Sequence, residues 1–179
     1  MNRRHFLYIL GSIPLTLSAP KIFGGGTASS AETKQSAIEK IVKSDMEWRQ
    51  QLTPAQYNIL RQEGTERSFS SPLNDEKRHG TYHCAGCELP LFTSKMKFDS
   101  GTGWPSFFTS LPNHTETRTD FKLIIPRTET RTDFKLIIPR TEYHCTRCGG
   151  HQGHVFNDGP EPTGERWCNN GLALKFIPA

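Results

Sequence analysis

The chain has 179 residues, a formal charge of +4 and a hydrophobic share of 34%, proportions that suit one domain with a modest core. Arg3, Arg4 and Lys21 lie within residues 1–31, which hold no acidic residue, so taking these three charges from +4 leaves the remainder at +1. A nearly neutral chain is a poor match to nucleic acid, whose binding draws affinity from clustered Lys and Arg set against phosphate.

In chain order, Asn2-Arg3-Arg4-His5-Phe6-Leu7 reads as a twin-arginine export signal. The apolar run Phe6–Leu17 follows, and Ser29-Ser30-Ala31 supplies small residues for cleavage after Ala31. Gly11 and Pro14 interrupt the run, which falls short of the roughly 20 apolar residues that span a bilayer. Residues 1–31 are therefore expected to be an export signal, with an uncleaved anchor as the competing reading. Export places the mature chain in the periplasm or otherwise outside the cytoplasm, with no stable membrane insertion after cleavage. Residues 32–45 read as a flexible lead-in, because they are polar and poor in large apolar side chains.

A single domain is expected over residues 46–179. Thr53, Pro54 and Gln56 predict the start of a short helix, as N-cap, first helical residue and capping-box partner. Tyr57, Ile59 and Leu60 form its apolar edge, and Gly64 is placed to end it. Beyond Gly80 short segments rich in Thr, Phe, Tyr and Ile alternate with Gly, Pro and Asn, the pattern of small antiparallel sheets. The fold class read from this pattern is mainly β (α+β), with a short N-terminal helix. One internal repeat is present: Thr115–Arg127, TETRTDFKLIIPR, recurs unchanged as Thr128–Arg140. Only one copy can join a sheet in register, because a slip by an odd number of residues turns every side chain to the opposite face. The other copy is expected to loop out.

Cys84-Ala-Gly-Cys87 and Cys145-Thr-Arg-Cys148 form two CxxC pairs. Together they offer four thiolates to one tetrahedral zinc ion, a closed structural site with no position left for water. Two disulfides are the alternative in an oxidising compartment. His83 and His144 each precede a cysteine and read as exposed strand histidines, since four thiolates already satisfy zinc.

Cys168 is left over. Strand alternation places Arg166, Cys168 and Asn170 on one face, where the guanidinium favours the nucleophilic thiolate; an inert buried thiol is the competing reading. His151 and His154 lack a third metal ligand nearby and suit proton transfer better. Trp104, within the glycine-punctuated turn Gly101-Thr102-Gly103-Trp104-Pro105, can offer an indole wall to a methyl group carried on sulfur.

From about Met46 to Phe176 the chain resembles the B-type methionine sulfoxide reductases. The resemblance rests on WRQQLTPAQYNILRQEGTE, GTYHCAGC, KFDSGTGWPSF, RTEYHCTRC, HQGHVFNDGP and RWCNNGLALKF. It implies a small antiparallel β domain stapled by one zinc ion. It also implies reduction of the R-sulfoxide of methionine, with oxidised methionine in proteins or peptides as substrate. By the same resemblance Cys168 is the nucleophile, with Arg166 and Asn170 at the flanking family positions. His151 and His154 match the histidines that bind and protonate the sulfoxide oxygen, Trp104 the aromatic that holds the methyl, and Phe156 the aromatic that follows. The family's supporting acidic position falls at Asn157, beside Asp158.

Thr102 stands where many members of that family carry a resolving cysteine two residues before the tryptophan. The resemblance therefore implies a one-cysteine cycle, in which an external thioredoxin-like protein or small thiol regenerates Cys168. Two other classes remain open on sequence: a zinc-ribbon-like binding module without catalysis, and a disulfide-linked secreted scaffold.

Overall fold

The computed structural model describes residues 37–120 and 140–179. The expected export signal, the start of the lead-in and most of the repeat lie outside the described residues. Everything described belongs to one unit, Ser36–Ala179, and no helix among the described residues is long and apolar enough to cross a membrane.

Two short helices open the domain where one was expected. Helix α1, Asp45–Gln51, starts at Ser44, whose hydroxyl accepts from the Glu47 N–H while the Glu47 carboxylate reaches back to the Ser44 N–H. Helix α2, Pro54–Gln62, has the expected cap, with Thr53 and Gln56 bonded reciprocally. Its predicted edge, Tyr57, Ile59 and Leu60, is buried. The residue that breaks α2 is Glu63 rather than Gly64: Glu63 turns left-handed at φ 55°, and Gly64 then donates to the Asn58 carbonyl at 2.9 Å. Ahead of α1, residues 37–44 lack regular secondary structure yet do not hang free. Ile38 and Ile41 pack against the core, and the Ile41 N–H donates to the Arg147 carbonyl at 2.7 Å.

Among the described residues nine strands follow, all paired antiparallel. They are β1 Gly80–Cys84, β2 Pro90–Thr93, β3 Lys97–Phe98, β4 Ser106–Phe107, β5 Thr115–Asp120, β6 Arg140–Cys145, β7 His151–Phe156, β8 Arg166–Asn169 and β9 Leu174–Pro178. They form a three-stranded sheet ordered β2-β1-β9 and a six-stranded sheet ordered β3-β4-β8-β7-β6-β5. The mainly β class expected from the sequence is the class observed.

Aromatic rings from both sheets fill the core. Phe92 of β2 stacks on Phe107 of β4 at 4.1 Å, Tyr82 of β1 meets Phe107 edge-on at 5.0 Å, and Tyr143 of β6 meets Phe92 edge-on at 6.2 Å. All four are fully buried, and each aromatic of this size removes about 150–250 Å² from water, a large part of what a small domain can gather. Trp48 of α1 and Ile59 and Leu60 of α2 join the same cluster.

Strand register sets one row of residues across the larger sheet. Phe98 faces Ser106, Ser106 faces Cys168, Cys168 faces His154, His154 faces Glu142 and Glu142 faces Arg118. The first copy of the repeat supplies β5, with Asp120 opposite Arg140, the last residue of the second copy; residues 121–139 between them lie outside the described residues.

Candidate active site and metal centre

The two CxxC segments form matching turns. In one, the Glu88 N–H closes on the Cys84 carbonyl, and in the other the Gly149 N–H closes on the Cys145 carbonyl, both at 2.8 Å. Each turn needs a left-handed residue just past its second cysteine, Glu88 at φ 59° and Gly149 at φ 66°. The turns bring Cys84, Cys87, Cys145 and Cys148 together with their sulfurs all within 4.8 Å of one another. Cys84 Sγ lies 3.7 Å from Cys148 Sγ and Cys87 Sγ 3.4 Å from Cys145 Sγ. A tetrahedral ion with metal–sulfur bonds of about 2.3 Å puts its sulfurs about 3.8 Å apart, so the cluster can hold one metal ion with little adjustment. Hydrogen bonds among the thiols, that of Cys145 foremost, hold Cys87 far below the usual thiol range, and Cys148 is lowered too. Cys84 and Cys145 are driven up.

Neither neighbouring histidine joins the cluster. His83 is half-buried on β1, its Nδ1 2.8 Å from the Glu88 carbonyl oxygen. His144 is not the exposed strand residue expected: it is buried on β6, with Nε2 3.1 Å from Glu142 Oε2 and Nδ1 3.2 Å from the Gly149 carbonyl oxygen. A register shift at Tyr143/His144 accompanies this inward placement.

A cleft of about 220 Å³ opens on the row of the larger sheet that holds Cys168 and His154. It is lined by Cys168, His154, Arg166, Asn170, Trp104 and Phe156, six of the seven cleft residues singled out from the sequence. The seventh, His151, does not reach it. His151 is 1% exposed and stands behind His154, ring centroids 5.5 Å apart, with its Nδ1 3.8 Å from Glu142 Oε2.

Burial pushes the Cys168 thiol above its ordinary pKa, against the pull of the Arg166 charge and of hydrogen bonds from Thr102 and Arg166. Desolvation outweighs the guanidinium, so the shift runs opposite to the one expected from Arg166 alone. Arg166 is fixed by a two-pronged ion pair, Nε to Asp158 Oδ1 at 2.7 Å and Nη2 to Asp158 Oδ2 at 2.9 Å, and lies over the Phe156 ring at 4.3 Å. The supporting carboxylate is thus Asp158 itself and not a role left to Asn157.

Asn170 follows β8 rather than lying within it. Its Nδ2 donates to the Gln152 carbonyl at 3.0 Å and its Oδ1 accepts from the Glu66 N–H at 3.0 Å. Three residues outside the expected set, Thr102, Glu66 and Gln152, also support the site. Thr102 lines the cleft with Cys168 and draws its thiol pKa down, and its hydroxyl ends a chain running through Ser100 to Ser106, 2.8 Å at each step. The Glu66 carbonyl accepts from Trp104 Nε1 at 3.1 Å, while its carboxylate accepts the Gly171 and Leu172 N–H groups at 2.6 and 3.0 Å. Gln152 Nε2 donates to Cys84 Sγ at 3.4 Å, and its carbonyl receives Asn170, so one residue touches both the metal cluster and the cleft. Glu66 and Gln152 lie within the matching blocks but bond to groups remote in sequence, so their types alone assign them no role; Thr102 was legible only as the place where a cysteine is missing.

The SelR domain family model matches residues 52–133 and 129–178. The chain belongs to the SelR domain family. Among its relatives, "Peptide methionine sulfoxide reductase MsrB" of Pseudomonas putida is 49% identical over 143 residues, 79% of this chain and 97% of that protein. The protein of the same description from Agrobacterium fabrum is 47% identical over 149 residues, 78% and 94% of the two chains. "Peptide methionine sulfoxide reductase B1, chloroplastic" of Arabidopsis thaliana is 42% identical over 156 residues, 83% and 71%. The solved Mis18 'Yippee-like' domain overlays with a TM-score of 0.42 at 19% identity, over 57% of this chain and 98% of that one. The two pieces of the SelR match overlap at residues 129–133, inside the second copy of the repeat. The family pattern therefore meets one stretch of sequence twice where the chain has duplicated it.

Proposed function

We propose that this SelR domain reduces the R-diastereomer of methionine sulfoxide, in peptides and proteins, to methionine. The observation that carries the reading is Cys168 on β8, in register with His154 on β7, within a cleft that Trp104 and Phe156 line with aromatic surface. The S-methyl group of the substrate rests against Trp104, whose indole is held by Glu66. Cys168 sulfur attacks the sulfoxide sulfur, and His154 carries the proton lost by the thiol to the departing oxygen. The protonated oxygen then passes from the substrate sulfur to the Cys168 sulfur as the transient sulfur–sulfur bond breaks, so that methionine leaves two electrons richer and Cys168 is left as a sulfenic acid. His151, out of reach of substrate, positions His154.

Regeneration needs two equivalents of an external thiol, from a thioredoxin-like protein or a small molecule. The first displaces water and forms a mixed disulfide with Cys168; the second releases the thiol of Cys168 and leaves as the disulfide of the reductant. Zinc is the ion that suits the four thiolates, and it supplies a structural staple rather than chemistry. The twin-arginine pattern of residues 2–7 supports work outside the cytoplasm, where the reductant must be provided.

The test is turnover of R- and S-sulfoxide peptides by the purified protein and by Cys168→Ser with dithiothreitol as reductant. R-specific turnover that disappears in the variant, with its thermal unfolding unchanged, is expected. Activity retained by Cys168→Ser would overturn the assignment.

A further inference from the structure

Beside the cleft lies a second hollow of about 120 Å³ that shares Trp104 with it. Phe69, Phe98 and Trp104 line the hollow with aromatic surface, and Asp75, Asp99 and Lys97 line it with charge.

Phe69 is the unusual member. It stands at φ 62°, in the left-handed region that a bulky side chain rarely adopts, and it remains 72% exposed. Burial does not account for the conformation. The surroundings nevertheless enforce it: the Phe69 N–H donates to the Gly103 carbonyl at 2.7 Å, and Asn74 Nδ2 donates to the same oxygen at 3.0 Å. Gly103, at φ 88°, leaves room for the ring, since a Cβ there would sit 2.7 Å from a ring carbon of Phe69. A strained, exposed aromatic strapped to the turn that carries Trp104 is the kind of outlier that clusters at ligand clamps.

The charges select an occupant. The Lys97 ammonium is engaged by the Asn74 carbonyl at 2.7 Å and feels both Asp99 and Asp75, which leaves one negative charge in excess on this lining; Asp75 and Asp99 are exposed, and Asp99 spends one oxygen on the Gly101 N–H. Aromatic walls fit an aliphatic stem, and carboxylates at the rim fit a cationic head.

We propose that this hollow is a substrate subsite, seating the polypeptide next to the oxidised methionine and favouring a lysine or arginine flanking it. The proposal rests on the sulfoxide reductase reading of the cleft and adds a preference within its substrates: sites flanked by lysine or arginine.

The test compares three R-sulfoxide substrates on the intact protein: the N-acetyl amide of the single residue, a peptide with lysines on both sides, and the same peptide with glutamates. At low salt kcat/KM for the lysine peptide exceeds that for the glutamate peptide by about fivefold, the scale of exposed ion pairs, and the gap narrows as salt screens it. In Asp75→Asn/Asp99→Asn the ratio of the two falls toward one. In Phe69→Ala, kcat/KM for the lysine peptide, divided by that for the single-residue amide in the same variant, falls through KM. Equal rates for both peptides on the intact protein, or a lysine preference that survives both variants, would overturn the subsite while leaving the cleft in place. If none of the three substrates is reduced, the reading of the cleft fails, and the subsite with it.

Discussion

Cys168 sits in a balance between burial, which raises its pKa, and Arg166 and Thr102, which lower it. The first wins, so the resting group is the thiol, and nucleophile accumulates only as pH climbs past the ordinary thiol range. In the free enzyme kcat/KM should therefore rise with pH through an alkaline limb above about 8.5. Thr102→Val removes one of the groups that favour thiolate, so its limb should move further up; a pH–rate profile unmoved or displaced downward would refute the role given to that hydroxyl. Much of this site could be read from residue types: an unpaired cysteine, two histidines and a tryptophan on a glycine turn. What could not be read is direction and depth. His151 and His154 are alike in sequence, yet one lines the cleft and the other is sealed beside Glu142. The register shift skips Gln152 on β7 and brings both histidines to the face of Glu142 and His144, and it is the depth of burial behind His154 that separates them.

At the scale of elements, caps were more legible than helices. Thr53-Pro54 and Gln56 marked α2 because capping chemistry is local, and the same chemistry at Ser44 and Glu47 marks α1. Helix α1 went unread because seven residues holding one buried side chain, Trp48, show no helical period. The docking of Ile38 and Ile41 escaped for a related reason: two apolar residues in a polar stretch do not alter its composition, though each finds the core. Among the strands, β5 and β6 bear on the repeat. Deleting residues 128–140 puts Arg127 in the place of Arg140 and leaves residues 121–126 to join Asp120 to β6. Closing the shorter connection costs less chain entropy by about 1 kcal/mol. The deletion variant should thus match or slightly exceed the parent in urea midpoint and retain its kcat/KM. Loss of folding or of activity would show that the second copy is part of the domain.

For the whole molecule, the metal cluster ties together parts that the sheets do not. Cys84 ends β1 in the three-stranded sheet and Cys145 ends β6 in the six-stranded one, so an ion held by both turns pins one sheet to the other. Arg61 of α2 bonds the Cys148 carbonyl at 3.0 Å, and Gln51 of α1 bonds the Gly86 carbonyl at 2.6 Å, which fastens both helices to the same place. Four thiolate ligands in small domains contribute on the order of 10 kcal/mol to folding, comparable with the total stability of many domains. Stripping the ion with a strong chelator should lower the melting temperature sharply and abolish turnover, with both restored by zinc. An unchanged melt after verified metal loss would show that the aromatic core holds the sheets alone. The spacing of the cysteines was plain in the sequence; that they join two sheets was not, because strand partnership across β1 and β6 leaves no local trace.

The six-stranded sheet also has a margin. Strand β5 ends its order, while Cys168 and His154 lie on β8 and β7, inward of it. A duplication beside β5 adds whole codons at the rim of the sheet, and the pairing of β4, β8 and β7 keeps its register whatever length accrues there. Added length at the rim therefore need not disturb the strands that carry Cys168 and His154.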